Sequence, residues 1–133
     1  MNDVHTLNLV TNTWTGAVNT TGAAPSRRVG HSAIAWTDAA TGAAKMTIFG
    51  GGYIRTRFND VHTLNLVTNM WSGAVSTKGA APTRRSVHTA VAWTDAASGA
   101  TKMTIFGGVD ATGAMLNDVH TLNLATNTWS GAV

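Results

Sequence analysis

The chain has 133 residues, 44% hydrophobic and only 11% charged, with a formal net charge of +3. An excess that small does not make the broad basic face that nucleic acid requires. The lack of cysteine excludes disulfides and thiolate chemistry. No apolar run approaches the roughly 20 residues that a membrane-spanning helix needs. All six acids are Asp and there is no Glu, which favours strands and turns over helices.

The sequence repeats itself. Residues 2–51 return at 59–108 with 39 of 50 positions identical, and residues 2–18 return again at 117–133 with 15 of 17 identical. A period of that size implies one supersecondary unit per repeat, each stacked on its neighbours because it cannot bury its apolar faces alone.

In chain order, residues 1–18 form a hairpin of two strands, 19–75 a first complete unit and 76–133 a second. The complete second copy defines the strands. Strand A covers 85–93 and follows Pro82; residues 94–100 turn on Asp95 and Gly99. Strand B covers 102–108 and ends in Gly107-Gly108. After a loop, strand C covers 118–124, a tight turn follows, and strand D covers 128–133. The connections are short, so sequence neighbours should pair antiparallel in a four-stranded meander. Strand A carries one Trp (Trp36, Trp93), and so does strand D (Trp14, Trp71, Trp129). Each should be buried against another sheet.

These motifs resemble the kelch repeat. A Gly-Gly closes an apolar strand (Gly50-Gly51), followed by Asn59-Asp60-Val61, then Thr68-Asn69-Met70-Trp71. Pro25-Ser26-Arg27-Arg28-Val29-Gly30-His31 supplies the remaining signature. The resemblance spans essentially the whole chain and implies an all-β fold of β-propeller blades, with strand A nearest the axis and strand D at the rim. It also implies a structural bond between blades from Arg28 and Arg85, and a loop face, built by the D–A and B–C connections, that binds partners. The sequence departs from the family pattern at Val87, where Gly is usual, and at His5, His62 and His120, where an aromatic residue is usual. A Val at position 87 is expected to rule out positive φ or a tight approach there.

Two complete blades and a spare hairpin cannot close a ring, since propellers typically need four blades or more. Three readings follow: a piece of a longer array whose other blades lie elsewhere in it, an engineered cut, or, the reading favoured, a chain that completes its propeller with copies of itself, as a homodimer or homotrimer. The near-identity of residues 2–18 and 117–133 suggests that a hairpin of one copy could close or cap a blade of another.

The loop face offers Arg27, Arg84, Tyr53, Arg55 and Arg57 as a basic, partly aromatic ligand-binding patch, suited to carboxylates, acidic peptides or sugars. The partner would be a protein or a glycan. The alternatives are a lectin-like propeller and an engineered or structural repeat scaffold with no ligand. The histidines are expected to bond backbone groups of their own or the next blade, not to hold a metal. No nucleophile stands beside a base, and there is no Glu for proton transfer, so no enzyme activity is expected. The copper oxidases among kelch propellers use Tyr, His and a cross-linked Cys, and this chain has no Cys and one Tyr. No cofactor is expected. The sequence leaves the cellular compartment open.

Overall fold

Side chains at the turns fix the strand pattern. At each C–D turn, an Asn Oδ1 accepts from two backbone N–H groups further along: Asn8 from Val10 and Thr11, Asn65 from Val67 and Thr68, Asn123 from Ala125 and Thr126. Asn12, Asn69 and Asn127 then take left-handed φ values of 53°, 55° and 54°, which Asn tolerates. At each A–B turn, Asp38 and Asp95 accept from the N–H of Ala40 and Ala97 and pair with Lys45 and Lys102.

The computed structural model describes residues 2–132 and is all-β, with no helix among the described residues. The hairpin of β1 (His5–Asn8) and β2 (Thr13–Ala17) leads to β3 (Thr21–Ala23), β4 (Ser32–Thr37) and β5 (Ala44–Phe49). A small hairpin follows, β6 (Gly52–Tyr53) and β7 (Thr56–Arg57), then β8 (Val61–Asn65) and β9 (Met70–Ala74). The second unit comprises β10 (Lys78–Ala80), β11 (Arg85–Ser86), β12 (Thr89–Thr94), β13 (Thr101–Asp110), β14 (Met115–Asn123) and β15 (Thr128–Ala132). Val133, expected at the end of strand D, lies outside the described residues.

The first blade has strand order β3-β9-β8-β5-β4; the second has β10-β15-β14-β13-β11, with β12 also on β13. Strands A to D form the expected antiparallel meander, but the four-stranded expectation is one strand short. β3 runs parallel to β9, and β10 parallel to β15. The stretch after one unit's strand D thus lies along strand D of the next unit, and the rim belongs to this fifth strand. A three-residue strand of small side chains carries little hydrophobic pattern, which hides it in the sequence.

The sheets stack face to face. Ile34, Phe49 and Val61 of the first blade form one core with Met103, Ile105, Leu122 and Trp129 of the second. The opposite face of the first blade, with Ile48, Leu64 and Trp71, receives Val4 of the N-terminal hairpin. Trp71 and Trp129 are 5% and 3% exposed, whereas Trp14, at the same repeat position, is 63% exposed, and Trp93 is 43% exposed. Burial of every Trp therefore fails at the two ends of the stack, where a sheet face has no neighbour.

Val87 corrects a second expectation. Its φ is +53°, close to the +64° of Gly30 at the equivalent position. Its N–H donates to the Gly30 carbonyl at 2.8 Å, so the two positions do approach closely. The backbone between β11 and β12 kinks at Val87 as the first unit's does at Gly30, and the exposed Val side chain has the space to follow it.

Candidate functional site

The loop face is held from below by a repeated Arg–Asp–His arrangement. Arg28 Nη1 and Nη2 donate to Asp60 Oδ1 and Oδ2 at 2.6 and 2.9 Å, and Arg85 does the same to Asp118 at 2.6 and 2.8 Å. Each Nη1 also donates to a glycine carbonyl, Gly50 or Gly107. These bonds lie within one blade, tying strand A to strand C, where the resemblance implied bonds between blades. The Arg85 backbone does link the blades: its carbonyl accepts from Gly51, and its N–H donates to the Phe58 carbonyl.

The electrostatics follow. Burial alone would raise Asp60, but hydrogen bonds from Arg28 and His62 outweigh it and hold the carboxyl well below the usual range. The hydrogen bonds from Arg85 hold Asp118 equally low. Such forked, charge-assisted bonds are among the strong ones.

Each strand-C histidine bonds the carboxylate two residues before it, with Nε2 at 2.9 Å from Asp60 and Asp118 for His62 and His120. His88 Nε2 lies 2.7 Å from Ser32 Oγ on the other blade. Their partners are thus side chains, where backbone groups were expected. Burial, reinforced by the Arg85 charge, pushes His88 down to about 4. Among the described residues, no group of three or more His, Cys, Asp or Glu could hold a metal ion.

Above this frame, the B–C connections of the two blades differ. In the second blade, β13 and β14 continue as one long hairpin. In the first, the chain breaks off at Gly50-Gly51 into the separate β6–β7 hairpin. This hairpin presents Tyr53 to Arg27, whose guanidinium carbon stands 5.6 Å from the ring centroid. The two line an open cleft with Asn2, Ser26, Thr56 and Phe58. Arg57 lines a neighbouring cleft with Val29, Gly30, Ile54 and Val87, and its buried Nε has no hydrogen-bond partner among the described residues.

The structure therefore joins Arg27 to Tyr53 and sets Arg57 beside them. Arg55 is exposed at the hairpin tip and Arg84 is exposed on the second blade; neither lines these clefts. Sequence reasoning missed Phe58, which stacks under Arg28 at 4.4 Å. Its signal was the change from Phe58 to Leu116 between copies.

Stacked twisted sheets, joined at the rim by a strand from the preceding unit, define a β-propeller module. The whole chain, residues 1–133, matches the family model described as the KLHDC2/KLHL20/DRC7 Kelch-repeats domain. It belongs to the kelch-repeat family.

The chain is 39% identical over 128 residues to Kelch domain-containing protein 1 of Mus musculus, covering 96% of this chain and 29% of that protein. It is 36% identical over 130 residues to Acyl-CoA-binding domain-containing protein 4 of Arabidopsis thaliana, covering 98% of this chain and 17% of that protein. Host cell factor 2 of Homo sapiens is 39% identical over 89 residues, covering 67% of this chain and 10% of that protein. The chain thus spans less than a third of the length of these relatives.

Proposed function

We propose that the chain is a non-enzymatic protein-binding propeller module whose loop face takes an acidic segment of a partner protein. The observation that carries this reading is the Arg27–Tyr53 pair, exposed beside an open cleft and flanked by Arg57. A guanidinium stacked on a ring is already ordered, so it loses little side-chain freedom when a carboxylate docks. Arg55 and Arg84 add long-range attraction from the same face. Kelch repeats generally serve as protein-interaction modules, in keeping with this role. We propose further that copies of the chain supply the blades missing from a closed ring.

A fluorescent peptide of Asp and Glu residues, titrated with the chain in an anisotropy assay, tests the first proposal. Binding should weaken roughly tenfold for Arg27→Ala and for Tyr53→Ala, and should fall as salt rises. Binding that is absent, or that ignores both substitutions, overturns it.

A further inference from the structure

We propose that the exposed face of the second blade seats on the first blade of a second copy, with Phe106 entering the cleft beside His31 and Trp71, and that the hairpin 2–18 gives way to it. This rests on the self-completion reading and names the surfaces that perform it.

The pattern for this contact exists within the chain. Phe49 sits between His88 and Trp129, with ring centroids at 5.2 and 5.3 Å. Ser32, on the same face as Phe49, reaches His88 at 2.7 Å. The receiving residues His88, Met103, Ile105, Leu122 and Trp129 recur in the first blade as His31, Met46, Ile48, Leu64 and Trp71, without one change. The inserting residues Ser32, Ile34, Trp36, Phe49 and Val61 recur in the second as Thr89, Val91, Trp93, Phe106 and Val119, with two conservative changes. A surface that already fits its complement inside the chain is thus offered again at each end, bare on the second blade and covered by the hairpin 2–18 on the first.

Both ends are open. Phe106 is 52% exposed and Val91 58%, against 0% and 6% for Phe49 and Ile34. At the other end, His31, Met46, Ile48 and Trp71 line a cleft of about 130 Å³ where the counterpart of Phe49 would stand. Asn2, Asp3 and Val4 of the hairpin form its remaining wall.

That hairpin is the weaker claimant to the face. Val4 packs on the first blade, but Trp14 is left 63% exposed. Among the described residues the Asp3 side chain bonds only His5, whereas Asp60 and Asp118 each hold a forked arginine. An arriving second blade brings its own C–D hairpin, 117–133, already locked by Arg85, into the position that residues 2–18 occupy. The contact is head-to-tail, so each copy offers one receiving and one inserting face. Two copies make four blades and three make six, both within the range of closed propellers.

Sedimentation velocity of the whole chain across micromolar concentrations tests this. The wild type should form a discrete oligomer. Phe106→Ser on the inserting face and Ala35→Arg, which pairs with Met46 on the receiving face, are both at exposed positions; each should weaken association by at least about tenfold while circular dichroism and melting of the dilute chain stay unchanged. Mixing the two variants should restore a dimer, because one intact receiving face and one intact inserting face remain. Removal of residues 1–18 should tighten association.

A wild type that is monomeric throughout overturns self-completion itself. An oligomer that ignores both substitutions overturns only this interface. Loss of association on removing residues 1–18 also overturns the proposal, since the hairpin would then be contributing to the contact.

Discussion

Phe49 and Trp129 meet edge to face across the two blades, their ring centroids 5.3 Å apart and their planes inclined at 64°. Aromatic pairs prefer this geometry, which adds to the area they bury. The same Phe recurs at position 106, where it is half exposed among the described residues. Replacing each by Ala separates packing from local sequence: Phe49→Ala should cost about 3–5 kcal/mol, as a buried Phe does. Phe106→Ala should change stability by under about 1 kcal/mol in the dilute monomer, as a surface site does. Urea denaturation at low concentration gives both values. Equal losses would show that the second blade's face is already covered in the single chain.

Much of the blade was legible because one pattern was printed twice. The Asn turns, the Gly-Gly ends and the alternation around Phe49 and Leu64 all reflect chemistry local to a few residues. What escaped depends on where units meet. The parallel strand Thr21–Ala23 pairs with residues some fifty positions away, and nothing in Thr-Gly-Ala announces it. Of the candidate site, the basic residues were visible, but the Arg27–Tyr53 contact follows from how the β6–β7 hairpin folds back. Val87 misled because its own conformational preference pointed one way and its backbone contact with Gly30 won.

The Arg–Asp fork offers a second comparison between copies. The Arg85 side chain has no exposure, and Asp118 is its only charge partner among the described residues. Asp118→Asn leaves a buried guanidinium without its counter-charge, and should destabilise on the order of 3 kcal/mol. Asp3→Asn, at a position with no arginine, should be nearly silent. Thermal melts of the two variants check the contrast.

Acid should act on stability in two stages. His88 is lowered to about 4 in the fold, against about 6.5 when unfolded. Between those values the unfolded chain binds the extra proton, so stability falls as pH drops from about 6.5 to 4 and then levels for this group. Asp60 and Asp118 are held below their unfolded values. Their contribution is complete above about pH 4 and is lost as pH falls further. Urea midpoints measured across pH should therefore decline in both windows. His88→Gln should make the upper window shallower, leaving the share of His31, which burial also lowers, and should leave the lower window intact; an unchanged upper slope would remove His88 as a source.

The fifth strand depends on one glycine per unit. Gly79 has φ +76°, and a Cβ built there would collide with the Trp129 carbonyl. Gly79→Ala should free β10 from β15 and cost about 2 kcal/mol through backbone strain and lost pairing. Hydrogen exchange should then accelerate at the amides of residues 78–80, with much less change at β13.

Val87 and Gly30 stand at the same repeat position with left-handed φ, and only one of them suits it. A β-branched residue at positive φ carries backbone strain of about 1–3 kcal/mol. Val87→Gly releases that strain but gives the unfolded chain more freedom, which offsets under about 1 kcal/mol. The net should be a stabilisation of about 1 kcal/mol, seen as a higher urea midpoint with unchanged slope. The reciprocal Gly30→Val should destabilise by more than that. A Cβ there stands 3.1 Å from the Val87 nitrogen, so steric crowding adds to the strain. A Val87→Gly variant that melts lower than the wild type would mean that the exposed Val side chain contributes packing which outweighs its backbone cost.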